Sequence, residues 1–452
     1  MAPLVRLALV LGVIVNSVQT TSINSRIDSP KSLRQKCSAA CPISSHHEAN
    51  PSPPKEDAWY ITTPENLADT TPGTILRVRQ APGNLTGVVT GSAAAYNIMY
   101  RTTDSQYKPT YAITTLFIPS YNNGTNTSSN PTLLSYQYPY DAVDLNLSPS
   151  YAMYAGMPVE DISWGLSRGW YVITGDYEGP LASFSAGVMS GHAVLDGIRA
   201  VLSDACAAEF FGLSSPTVRK RSANSPPWRY ALWGYSGGAV ASEFAAELQV
   251  QYAPELQFAG VAIGGLTPNI STIRDLVEGT LYASLTPSWL IGVTSQYPDA
   301  RDYLISVLNK AGPYNVTTFM GLAQSTSTLV TFAFERISDY FVNGFADLET
   351  PIINKIITSD NTMGYHGVPQ MPVFAYKAVH DELSAVADTD KLIDRYCELP
   401  AVDIFYQRNE VGGHGDESTA GNPRARAWLI EVLQGTYTET GCRIETIVDV
   451  AA

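Results

Sequence analysis

Gly234-Tyr235-Ser236-Gly237-Gly238 sets a hydroxyl between small neighbours, the pattern that puts a nucleophilic serine on a tight strand-to-helix turn. In a chain with 34 glycines such a pentad arises easily by chance, so its flanks decide. Before it, Tyr230-Ala-Leu-Trp233 has the length and character of a short buried strand. After it, Ala239 to Gln249 is Ala-rich and strongly helix-forming. Gly234 and Gly238 let strand and helix approach closely, and the helix N-terminus aims free N–H groups and positive dipole at developing oxyanion charge. The bland reading is a glycine-rich turn capped by a serine.

A serine nucleophile needs a base, and the chain offers six histidines. His46 and His47 lie in a loose polar stretch, His192 heads a helical run, and His366 sits among Gly and Pro. His414 differs: it follows a predicted strand, Val402–Tyr406, in a Gly-rich loop just before a predicted final helix, Pro423–Leu433. The base in turn needs a carboxylate to hold its tautomer. Asp381, directly after the strand-like run Pro372–Val379, is the first choice. Glu382 is a chemical substitute, while Asp388 and Asp390 are expected at or in the next helix. The order Ser236, Asp381, His414 is that of α/β-hydrolases, not of chymotrypsin-like or subtilisin-like enzymes.

The elements that must position these groups can be read from pattern. Ala94–Arg101 and Tyr111–Ile118 suggest an antiparallel hairpin. Apolar runs at Thr132–Tyr136, Trp170–Thr174, Tyr230–Trp233, Phe258–Ile263, Pro372–Ala378 and Val402–Tyr406 then alternate with helical stretches such as Ser185–Asp204 and Ala239–Tyr252, which implies βαβ units and a mostly parallel sheet. From Thr267 to Thr358 the reading is helical throughout, with segments such as Ile273–Leu281, Pro298–Asn309 and Leu329–Phe341. This is best explained as a lobe over the carboxyl ends of the strands. The expected division is a signal peptide over 1–20, a loosely ordered extension over 21–58, a core over 59–266 and 359–452, and a helical cap over 267–358.

Composition narrows the class. With 42 acidic and 28 basic residues the net charge is −14, which excludes a phosphate-backbone ligand. The apolar run Leu7–Val15 after Arg6 is too short to span a bilayer and reads as a secretory signal, so a soluble exported chain without a transmembrane segment is expected. Acceptor triplets for N-glycosylation at Asn84, Asn123, Asn126, Asn146, Asn269 and Asn315 agree with export. The five cysteines, Cys37, Cys41, Cys206, Cys397 and Cys442, lack zinc-site spacing and point to disulfides, with one thiol left over.

Taken together, Ser135-Tyr-Gln-Tyr-Pro-Tyr-Asp141, Gly175-Asp-Tyr-Glu-Gly-Pro180, Trp233-Gly-Tyr-Ser-Gly-Gly238, His380-Asp-Glu-Leu383 and Gly413-His-Gly415 resemble the fungal secretory lipase family, from about Trp59 to the C-terminus. The resemblance implies an α/β-hydrolase fold with a helical cap, and an oxyanion hole built from the backbone N–H groups of Gly237 and Asp141. It also implies a Cys397–Cys442 disulfide, which leaves Cys206 to pair with Cys37 or Cys41. The sequence departs from the family at His380-Asp-Glu-Leu-Ser384, where many relatives carry a proline, and in its extra cysteine. Two-step acyl transfer by Ser236 needs neither cofactor nor metal. The expected substrate is an acylglycerol or related ester, met by a monomer at a lipid–water interface. The alternative is an esterase or deacetylase of acetylated fungal metabolites such as trichothecene-type toxins. A serine peptidase of the same fold ranks last, because the cap shows no paired-glutamate anchor. A binding module without activity would lack a triad member, and none is missing.

Overall fold

The structure, a computed structural model, describes residues 50–65, 67–120, 131–202, 228–325, 330–400 and 402–450. The expected signal, most of the extension, Cys37, Cys41, Cys206, Asn123 and Asn126 lie outside the described residues. Among those described, ten strands form one sheet in the order β1-β2-β3-β5-β4-β6-β7-β8-β9-β10. They are β1 (Ile75–Gln80), β2 (Ser92–Thr103), β3 (Pro109–Pro119), β4 (Thr132–Gln137), β5 (Tyr171–Asp176), β6 (Arg229–Tyr235), β7 (Gly260–Gly264), β8 (Val373–Ala378), β9 (Asp403–Asn409) and β10 (Gly441–Ile447). Pairing is antiparallel from β1 through β3 to β5 and parallel from β5 to β10. Helices of eight residues or more are α1 (Glu160–Ser167), α2 (Gly187–Leu202), α3 (Gly237–Tyr252), α4 (Ile270–Val277), α5 (Leu285–Thr294), α6 (Pro298–Val307), α7 (Pro351–Asp360), α8 (Val386–Cys397) and α9 (His414–Gln434).

The parallel strands read as nearly unbroken apolar runs because both of their faces are covered. Every residue of β4 and β8 is buried. Successive side chains alternate between two cores. Leu133, Leu232, Val261 and Ile404 pack on one face with Phe244 and Leu248 of α3 and Ile393 of α8. Leu134, Trp233, Ala262 and Phe374 pack on the other with Leu166 of α1 and Trp428 of α9. Most of the described helical stretch between β7 and β8 shares a core with the sheet: its Trp289, Leu304, Phe319 and Ile353 continue the first of these clusters.

Five local expectations need correction. Residues 50–58, placed in a loose extension, are built into the fold: Lys55 pairs with Asp144 at 2.8 Å and Asp57 with Arg79 at 2.7 Å. In the stretch expected as a helix over Leu329–Phe341, the described residues 330–341 hold only a short 3-10 turn, Ile337–Tyr340, beside a bridge from Phe341 to Leu308. The final helix begins at His414, not Pro423, so it carries a proline in its interior. Its start lies there because the Asp416 carboxylate accepts the Gly413 N–H at 3.1 Å, a cap that outweighs the proline signal. β1 was not foreseen. Neither was β10, an edge strand after β9 whose alternate residues are mostly exposed, so it lacks the buried face that reveals a strand. The Cys397–Cys442 disulfide joins the end of α8 to that edge.

Candidate active site

Ser236 sits between β6 and α3 with φ of +53°, a left-handed conformation that side-chain-bearing residues adopt at a cost. Only glycine fits at positions 234 and 238. A Cβ on Gly234 would lie 2.1 Å from the Gly238 carbonyl oxygen, and one on Gly238 would lie 2.0 Å from that of Gln137. The turn is held by the Ser236 N–H donating to the Gly264 oxygen at 2.9 Å. Strand and helix thus meet at van der Waals limits, and the hydroxyl stands at the carboxyl end of the sheet.

His414 Nε2 lies 2.9 Å from Ser236 Oγ, and its Nδ1 lies 2.7 Å from Asp381 Oδ2. A carboxylate on Nδ1 selects the tautomer that carries the proton there, which leaves Nε2 to accept from the serine hydroxyl. As the first residue of α9, His414 is held at its backbone as well. Its N–H donates to Glu382 Oε2 at 2.8 Å and its carbonyl accepts from the Tyr235 hydroxyl at 2.6 Å. Asp381 Oδ1 accepts the N–H groups of Leu383 and Ser384, each at 2.9 Å. Burial opposes the charge on Asp381, but the hydrogen bond and charge of His414, followed by those of Lys377, hold its carboxyl well below the usual range.

Across the serine, Asp141 has φ of +45° and lies against the helix start: a Cβ on Gly237 would come within 1.8 Å of Asp141 Oδ1. That oxygen is buried without a hydrogen-bond partner. Burial pushes the Asp141 carboxyl up to about 6, with His414 pulling it down. The other candidates fall elsewhere. His192 is fully buried, stacked on Tyr252 with ring centroids 3.9 Å apart, and burial pushes it down to about 3. His366 contacts the Ser359 carbonyl at 2.6 Å, and His380 is exposed. Asp388 accepts from Thr272 at 2.7 Å and Asp390 from Tyr406 at 3.0 Å, so neither is the carboxylate on His414.

In the sequence Lys377 is an isolated lysine inside an apolar strand, four residues before Asp381, and that is the signal from which its place in the site could be found. Glu382 is not the substitute carboxylate that its type and place suggest, since Asp381 occupies His414 Nδ1. Its role here is to fix the His414 backbone, a contact that only the approach of two distant loops creates.

Known proteins share this arrangement of chain. The secretory lipase family matches residues 148–441, about two thirds of the sequence. The chain belongs to the secretory lipase family. Trichothecene C-3 esterase of Fusarium sporotrichioides is 44% identical over 88% of this chain and 89% of its own length. Lipase A of Arthroderma benhamiae is 35% identical over 88% of this chain and 83% of its own. Among solved structures, Candida antarctica lipase A superposes with a TM-score of 0.74 at 25% identity, covering 89% of this chain and 91% of that one. This secretory lipase family member therefore has the α/β-hydrolase fold and is a carboxylic ester hydrolase.

Proposed function

We propose that Ser236 is the nucleophile, His414 its general base and Asp381 the carboxylate that orients His414. The unbroken chain of contacts Ser236 Oγ, His414 and Asp381 carries this reading. His414 Nε2 takes the serine proton as Oγ attacks the ester carbonyl. The N–H groups of Gly237 and Asp141 receive the oxyanion, and His414 then protonates the leaving alcohol. Water, deprotonated by the same nitrogen, releases the acid from the acyl-enzyme. The first N–H groups of α3 have no partner within the helix, which suits the Gly237 amide to this task.

The substrate reading is a lipase acting on acylglycerol esters, supported by family membership and by the relatives named as lipases. A second reading, an esterase of acetylated trichothecene-type metabolites, is favoured by the 44% identity to the Fusarium esterase. In either case residues 267–358 act as the cap. Its α4 packs on the turn after Asp381 through Ile273, Val277 and Leu383. No helix among the described residues is long and apolar enough to cross a membrane. The leader-like N-terminus and the exposed Asn84, first residue of its triplet, support a secreted glycoprotein.

Replacing Ser236 with Ala should lower kcat on nitrophenyl esters by about 10⁴- to 10⁶-fold with the fold intact. Equal rates in mutant and wild type would sink the mechanism. Hydrolysis of acetate esters without activity on emulsified long-chain triglyceride would select the esterase over the lipase.

A further inference from the structure

β8 is wholly buried, yet its fifth residue is Lys377. Its side chain is 0% exposed, and Nζ lies 2.8 Å from the Leu266 carbonyl oxygen and 2.8 Å from Asp381 Oδ2. The second acceptor is the oxygen that also receives His414 Nδ1–H at 2.7 Å. One carboxylate oxygen is therefore shared between an ammonium and the imidazole. An apolar side chain would fill this strand position with less desolvation, so packing does not account for a lysine.

The surroundings supply a reason. Among the described residues, the charged groups that face the pair from its neighbours are mostly acids. Glu382 holds the His414 N–H, Asp141 acts on His414 from across the serine, and Asp388 and Glu382 act on Lys377. Asp416 lies at the start of α9, and Glu417 behind Tyr235 is met by Arg424. The phenols of Tyr235 and Tyr282 face the same acids and carry no charge at neutral pH. Each nearby carboxylate favours the protonated imidazole, in which His414 cannot act as a base. A buried cation on Asp381 offsets them. Burial pushes the Lys377 ammonium down while Asp381 pulls it back, and donation to two oxygens suits the charged form.

We propose that Lys377 is a positioning residue for the relay: by sharing Asp381 Oδ2 it fixes the carboxylate and limits how strongly Asp381 favours imidazolium, so His414 remains an available base at lower pH. The inference rests on the proposed Ser236–His414–Asp381 mechanism. Lys377→Met removes the charge at nearly constant shape, and Lys377→Gln removes it while keeping a donor. In both, the acid limb of the kcat/KM profile on a short-chain nitrophenyl ester should move up by about one pH unit. The alkaline plateau should change much less. Rates are normalised to sites titrated with a fluorophosphonate, so that misfolded protein does not count. Acid limbs in both variants that coincide with wild type overturn the inference, as does a wild-type limb in Lys377→Gln alone, which would assign the effect to the hydrogen bond. Failure of Ser236→Ala to abolish turnover overturns the mechanism beneath it, a separate outcome.

Discussion

Ser236 has an aspartate on either side, and the two are treated in opposite ways. Asp381 is supplied with four donors, the N–H groups of Leu383 and Ser384, the Lys377 ammonium and His414, and is kept ionised. Asp141 receives no donor on its buried Oδ1 and is pushed up to about 6 by burial. Glu178, fully buried behind it, is pushed well above the usual range by burial and then by the charge of Asp141. The difference accords with the roles proposed for the two sides. In the proposed mechanism the histidine side meets a forming imidazolium with a fixed negative charge, whereas Asp141, beside the proposed oxyanion wall, is the first of the two to lose its charge as pH falls. Neighbouring acids driven apart in this way mark the division of roles in a site.

The comparison can be broken from its charged side first. Asp381→Asn should lower kcat by about 10⁴-fold, because the amide no longer selects the Nδ1–H tautomer. It should also destabilise the fold by about 3 kcal/mol, since the buried Lys377 loses its counter-charge, a loss measurable by urea denaturation. On the other side, Gly237→Ala drives a methyl group into Asp141 Oδ1 and displaces the oxyanion wall. The expected fall in kcat is about 10²-fold, with the thermal midpoint near wild type.

The smallest effect sharpens the contrast through stability. A carboxyl raised in the folded state binds its proton more tightly there than in the unfolded chain. The stability it contributes is complete below the unfolded value, about pH 4, and is lost as pH rises through about 6 for Asp141. Asp141→Asn removes that titration, so stability should fall less steeply with rising pH across this window, by up to about 2 kcal/mol. Asp381 has the opposite sign: its depressed value contributes stability that is present above about pH 4 and lost on acidification. In denaturation curves, relative to wild type, Asp141→Asn should therefore alter the slope of stability between about pH 4 and 6, and Asp381→Asn should alter it with the opposite sign below about pH 4; unchanged slopes in both windows would erase the distinction.

Much of the parallel sheet was legible because burial on both faces forces unbroken apolar runs, as in Tyr230–Trp233 and Pro372–Ala378. What escaped lacked such a constraint. β10 exposes most of its side chains, and α9 begins with a cap whose partner, Asp416, lies three residues beyond Gly413 and competes with the stronger-looking proline at 423. The segment around Ile337 was misread for the converse reason. Its apolar residues feed the common core from a 3-10 turn rather than from one face of a helix, so hydrophobic content resembled periodicity.

For the site, the sequence by itself determined which groups were available and in what order: a serine between glycines after a strand, an aspartate closing another and a histidine among glycines. These are local requirements of turn geometry, and local geometry is written in adjacent residues. The tertiary structure alone decided that Lys377 and His414 share one oxygen of Asp381, that Glu382 holds the His414 backbone, and that Asp141 lies unpartnered against Gly237. Those facts depend on chain segments brought together from far apart and on how many donors each carboxyl meets there. Charge inside a protein is set by that count and by exclusion of water, neither of which is a property of residue type.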